Sequence, residues 1–138
     1  MGRIVRFGVS LEAGLLASFD GLLRKRGWAS RSEALRNLIR QELVKKEWLE
    51  GGEVAGAVTL IYDHHRKDLM GRITDIQHDY HHLILSSQHI HLDHDHCLEI
   101  IAVRGKPVDV NRLADALRTI KGVTYGTLSM STTGRGLE

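Results

Sequence analysis

Apolar and polar residues alternate strictly over residues 6–11, with Phe7, Val9 and Leu11 on one side and Arg6, Gly8 and Ser10 on the other, which predicts a short strand. The period then changes. Leu15, Leu16, Phe19, Leu22 and Leu23 recur at helical spacing and predict a helix over 12–26, with Ser10 as its N-cap. Arg24-Lys25-Arg26 crowds cations into the last turn, where the helix dipole favours them, and Gly27 suits the position just past the end. Ser30 followed by Glu33 is a capping box, and Ala34, Leu35, Leu38, Ile39 and Leu43 continue as the stripe of a second helix reaching residues 47–49. A strand and two helices within about fifty residues offer too little core for one chain, and a lone strand leaves both edges open. Two intertwined copies resolve both problems if the strand pairs with its equivalent across a two-fold axis.

After the polar linker at 51–53 the pattern changes again. Residues 54–62 read as a strand, 66–82 as a helix built on Leu69, Ile73, Ile76 and Tyr80, and 83–92 and 97–103 as two further strands. Gly105-Lys106-Pro107 marks a turn, Val110, Leu113, Leu117 and Ile120 a helix over 108–121, and 123–130 a last strand. The order β-α-β-β-α-β is the ferredoxin-like (ACT-like) arrangement, with both helices on one face of the sheet. The chain is therefore expected to be α+β, with an N-terminal domain at 1–50, the linker at 51–53, a second domain at 54–133 and a tail at 134–138. If Ile90, Leu92, Leu98, Ile100 and Ala102 point to the helices, then His89, His91, Cys97, Glu99, Ile101 and Val103 point away. A face carrying Ile101 and Val103 should be covered by a second subunit.

Charge sharpens this division. Residues 1–50 hold ten Lys/Arg against six Asp/Glu, whereas the remainder holds nine against eleven. A basic first part joined to a weakly acidic second part suits a nucleic-acid contact followed by a sensing module. A two-stranded ribbon is sized for the DNA major groove, where Arg6 has the geometry to read guanine and Ser10 can pair with several bases. The start of the second helix, with its free N–H groups and Ser30, Arg31 and Ser32, would grip phosphates. One cysteine excludes an intrachain disulfide framework, and the chain has no apolar run of membrane-spanning length and no signal-peptide pattern, so the expected location is cytoplasmic.

The densest chemistry lies in Gln88-His89-Ile90-His91-Leu92-Asp93-His94-Asp95-His96-Cys97-Leu98-Glu99, within a chain that holds nine histidines. Alternation puts His89 and His91 on one side of a strand. If the chain turns back through residues 93–95, Cys97 falls opposite them. Two imidazoles and a thiolate form a mixed N/S metal site with room for a fourth ligand. The helix at 66–82 supplies a candidate in His78, which lies on its outer side and could reach a neighbouring subunit. Glu99 and Gln77 are placed to steer ligands without binding metal. The remaining histidines, His64, His65, His81, His82, His94 and His96, read as solvated, with a weaker secondary metal site as the alternative.

Arg26-Gly27-Trp28 with Ser30-Arg31-Ser32-Glu33-Ala34, followed by Gln77-His78 and the His-x-His…Cys-Leu-Glu run, resembles the nickel-responsive regulators of the NikR type over nearly the whole chain. The resemblance implies a ribbon-helix-helix repressor whose C-terminal domains assemble a homotetramer, a dimer of dimers, flanked by two DNA-binding dimers. It implies a square-planar Ni(2+) site made by His89, His91 and Cys97 with His78 from the neighbouring subunit, and double-stranded operator DNA as partner. Gly8 stands where members often carry a polar base-reading residue, which leaves Arg6 and Ser10. Asn37 stands where a member has a second carboxylate of an interdomain cation site, which leaves Glu33 as the candidate there.

Ligand types alone leave the metal open, since three imidazoles and a thiolate also suit Zn(II) or Cu(II). A metal buffer or chaperone would keep the ligands but have no use for Arg6, Ser10 and the capped basic turn. A regulator of another transition metal would keep both. An enzyme is not expected, because no glutamate is placed as a general base beside the ligands.

Overall fold

The computed structural model describes residues 2–138, which divide into two compact units, 1–43 with 134–138 and 44–133. In the first unit, helix α1 spans Ala13–Arg26 and α2 begins at Arg31, running on to Glu50. Gly27, at φ 71°, closes α1 with two bonds, its own N–H to the carbonyl of Arg24 and that of Trp28 to the carbonyl of Leu23. That pair of bonds needs a left-handed residue, which glycine adopts without a Cβ penalty. The Arg26 guanidinium lies 5.8 Å from the centre of the Trp28 ring. Ser10 does not cap α1: the N-cap is Glu12, whose carbonyl accepts the N–H of Leu16, so the helix starts two residues too late for Ser10 to reach it. The capping box of α2 is present, with Ser30 Oγ accepting the Glu33 N–H at 3.1 Å and the Glu33 carboxylate accepting the Ala29 N–H at 3.0 Å.

This unit has almost no core of its own. Among its described residues only Ala34 is buried, while Phe7, Val9, Leu11, Leu15 and Ile39 are exposed. Residues 2–12 pair with nothing as a strand within the chain. The alternating segment 6–11 therefore finds no partner in a single copy, as expected of a strand that must be completed from outside.

The second unit is a four-stranded antiparallel sheet of order β2-β3-β1-β4, built from β1 (Val54–Asp63), β2 (Ile84–His91), β3 (His96–Gly105) and β4 (Val123–Met130). Helices α3 (Lys67–Asp79) and α4 (Pro107–Arg118) complete the β-α-β-β-α-β order. Pro107 starts α4 because its missing N–H falls where a helix has no partner to offer. Helix α3 ends earlier than its apolar spacing predicts, giving way to a 3₁₀ turn at His81–Leu83 that carries Leu83 into the core.

The sheet's two faces are the reverse of the sequence expectation. Val58, Leu60 and Tyr62 of β1 and Cys97, Ile101 and Val103 of β3 form one buried cluster with Leu69 and Ile73 of α3 and Val110, Leu113 and Leu117 of α4. Thus Cys97, Glu99, Ile101 and Val103, with His89 and His91 opposite them, lie on the helix-covered face. Leu98, Ile100 and Ala102 lie on the other side, half-buried beside the exposed Tyr125. Both faces of β3 are apolar, so alternation separates two sets without saying which one the helices cover. A bulge between Ile84 and Ser86 then changes the parity of β2, so that Ile84 faces Val103 while the odd-numbered His89 and His91 face Glu99 and Cys97.

Gly56 lies on the core face, where an added Cβ would fall 2.7 Å from the Ser129 carbonyl oxygen and 3.6 Å from the Trp48 ring. Trp48 is fixed there by its indole N–H, which donates to the Ser131 carbonyl at 2.8 Å. Gly56→Ala should push β4 and Trp48 aside and cost about 1–3 kcal/mol. A urea titration followed by tryptophan fluorescence should show a lower midpoint at unchanged slope.

Candidate metal centre

Three strands deliver the chemistry to one end of the sheet. In register, Tyr62 of β1 faces Cys97 of β3, and Cys97 faces His91 of β2; one step along, Glu99 faces His89. The thiol of Cys97 is fully buried, whereas His89 and His91 sit exposed on the edge strand. The Cys97 Sγ lies 3.5 Å from His91 Nδ1, and the His89 and His91 ring centres are 5.0 Å apart.

His89 is held by a short polar chain. The Tyr62 hydroxyl donates to Glu99 Oε2 at 3.0 Å and lies 3.1 Å from His89 Nδ1. A phenol has one proton, so with that proton on the carboxylate bond its oxygen accepts the Nδ1–H of His89. The imidazole then presents a bare Nε2, the form a metal ligand requires. Burial, reinforced by the negative charge of Glu99, pushes the Tyr62 hydroxyl well above its ordinary range, so the phenol keeps the proton this chain needs.

Burial is also the main cause that pushes the Cys97 thiol up, followed by the charges of Glu99, Asp63 and Asp93. A buried cysteine of this kind is a protonated thiol at neutral pH, and a bound cation supplies what would stabilise its thiolate.

His64, just beyond β1, joins the site. Its ligand nitrogen, with those of His91 and Cys97 Sγ, forms a group in which all atoms lie within 4.8 Å of one another. His64 Nδ1 is buried without a hydrogen-bond partner, an arrangement that costs free energy unless something binds it. Two imidazoles, a thiol and an orphaned nitrogen at this spacing fit a borderline transition ion. Sequence reading placed His64 among the solvated histidines. The signal that could have singled it out is parity, since His64 continues the even-numbered series of Leu60 and Tyr62.

The other candidates are spread more widely. His78 is exposed in the last turn of α3, where its carbonyl accepts from the His81 ring at 3.0 Å, and Gln77 beside it is half-buried. In the first unit Arg6, Ser10 and Ser32 are exposed. Arg31 is engaged, since its Nε and Nη2 donate to the two carboxylate oxygens of Asp20 at 3.0 and 2.9 Å. That fork, before any other cause, holds the Asp20 carboxyl below its ordinary range. Ser30 and Glu33 are engaged in the capping box described above.

Comparison with known proteins extends this picture. Residues 55–131 match the family described as the NikR C-terminal nickel binding domain, and residues 5–46 match the ribbon-helix-helix proteins of the CopG family. A protein of Syntrophus aciditrophicus described as a candidate nickel-responsive regulator is 59% identical over 135 residues, covering 98% of each chain. Others so described, from Chlorobium phaeobacteroides and Chlorobaculum tepidum, are each 53% identical over 131 residues, covering 95% of this chain and 98% of theirs. An uncharacterized protein of Thermotoga maritima of known structure aligns at 13% identity with a TM-score of 0.51, over 56% of this chain and 95% of its own, a likeness of fold alone.

Two outcomes test the geometry. Tyr62→Phe should weaken metal binding by about 10–100-fold while leaving the thiolate-to-metal absorption band in place, because it frees the His89 ring without removing a ligand. With the Cys97 proton displaced on binding, affinity should rise by about tenfold per pH unit between about pH 7 and 8 and lose this slope in Cys97→Ala. Calorimetry in buffers of differing ionisation enthalpy reads the released proton directly.

Proposed function

The chain belongs to the nickel-responsive regulator family, and on that premise we propose that it binds operator DNA and represses nickel-uptake genes when Ni(2+) is bound. It is a regulator rather than an enzyme. The observation that carries the proposal is the constellation at the end of the sheet, where Cys97 is buried 3.5 Å from His91 and His89 is fixed by Tyr62. In this reading His89, His91 and Cys97 hold the ion and His78 of a neighbouring subunit completes its coordination. Ni(2+) supplies the positive charge that lets Cys97 stay buried as a thiolate. Glu99 acts through Tyr62 on the orientation of His89, and Gln77 adjoins the contributed histidine.

Assembly follows from what each unit leaves uncovered. The exposed Phe7, Val9, Leu11 and Leu15 of the first unit support an intertwined dimer whose paired strands present Arg6 and Ser10 to base edges. Ser30, Arg31 and Ser32 then lie at a helix N-terminus suited to phosphate, with Arg31 aimed by Asp20. The open face of the sheet, with Leu98, Ile100 and Tyr125, supports sheet-to-sheet packing into a homotetramer, on a face other than the one expected from sequence. A histidine contributed across subunits makes metal binding a change in assembly geometry, which is how a distant DNA contact could respond to it. Among the described residues no helix is long and apolar enough to cross a membrane, and the proposed place of action is the cytoplasm.

Two substitutions separate the modules. Cys97→Ala should abolish tight Ni(2+) binding and the metal dependence of operator affinity while leaving weak, salt-sensitive DNA binding. Arg6→Ala should leave metal uptake untouched and cost about 1–3 kcal/mol of specific DNA affinity. Gel-shift titrations with and without one equivalent of Ni(2+) measure both, and equal operator affinity in the two conditions would overturn the proposal.

A further inference from the structure

Outside the cluster around Cys97, a second group of metal-binding side chains lies where the loop after β1 meets the turn between β2 and β3. The ligand atoms of His65, His94 and Asp95 lie within 4.8 Å of one another, and all three residues are exposed. His65 Nε2 is 3.3 Å from Asp95 Oδ1 and 3.1 Å from the His94 carbonyl oxygen, and the His65 and His94 ring centres are 5.2 Å apart.

The surrounding backbone is fixed before any ion arrives. Asp93 Oδ1 accepts the N–H groups of Asp95 at 2.9 Å and His96 at 2.8 Å, which shapes the turn. Asp63 Oδ1 accepts the His65 N–H at 2.9 Å, which shapes the facing loop. One backbone bond, from the His64 N–H to the Asp95 carbonyl at 3.3 Å, joins the two. A ligand set on two loops already tied together loses little conformational entropy on binding.

We propose that His65, His94 and Asp95 form a second metal site, independent of Cys97, for a borderline divalent transition ion bound through two imidazoles and one carboxylate with water in the remaining positions. Lacking a thiolate and open to solvent, it is weaker than the site at Cys97 and more labile. Two nitrogens and an oxygen suit Ni(II), Zn(II) or Cu(II) and disfavour Mg(II) or Ca(II), which seek oxygen alone. His64 stands between the two sites, its ring centre 4.1 Å from that of His65 and 5.3 Å from that of His91.

The probe is Ni(II), measured by equilibrium dialysis on the full chain. The wild type should take up a tight equivalent and then a weaker one, and Cys97→Ala should keep only the weaker. His65→Ala or His94→Ala should weaken that second equivalent by about tenfold or more and spare the first. Hydrogen exchange at the His64 and Asp95 amides should slow as the second equivalent binds. A second equivalent unaffected by His65→Ala and His94→Ala, or no second equivalent, would overturn the site. Loss of the first equivalent bears on the Cys97 site alone, so the two readings fail separately. Should Cys97→Ala unfold, the two single histidine variants in the otherwise wild-type chain give the same answer.

Discussion

The second unit depends on the register of its two central strands. Pairing β1 with β3 so that Tyr62 faces Cys97 puts a thiol, a phenol and the Glu99 carboxyl side by side on the face that the helices cover. None of these groups is cheap to bury alone. The phenol satisfies the carboxylate, the carboxylate fixes the phenol's proton, and the phenol's oxygen fixes a histidine on the next strand. The thiol has only a long contact with His91 and stays protonated through burial. A fold that hides a group of this kind beside two exposed imidazoles is incomplete without a cation.

The first unit faces the opposite difficulty. Its helices are well formed locally, with a left-handed glycine ending α1 and a capping box starting α2, yet Ala34 is its only buried described residue. Local signals specify the elements, and their stability must come from apolar surface covered outside the chain. The Asp20–Arg31 fork fixes the start of α2 against α1, so its geometry can be correct before a partner arrives.

The elements themselves were legible in the sequence because each rests on a local pattern: helical spacing around Leu113 and Leu117, alternation along residues 123–130, Ser30 three residues before Glu33. The ligand trio His89, His91 and Cys97 was legible because strand parity and a turn bring them together. Which face they occupy was not. Cys97, Ile101 and Val103 compete with Leu98, Ile100 and Ala102 for the helices, and only packing volume decides between two apolar series. The bulge near Leu85 was hidden because a single extra residue leaves no compositional mark. The engagement of Arg31 by Asp20 escaped because eleven residues and a turn separate them.

The bond from Tyr62 to Glu99 also bears on which ions compete for the site. Hard cations such as Mg(II) greatly outnumber transition ions in a cell and bind wherever a free carboxylate is offered. Glu99 is the acidic group nearest the ligands in register, yet it is buried and its Oε2 is occupied by the phenol. What the site presents outward is therefore nitrogen and sulfur. The abundant ions are turned away by the absence of an available oxygen, and discrimination among the scarce ones is left to geometry.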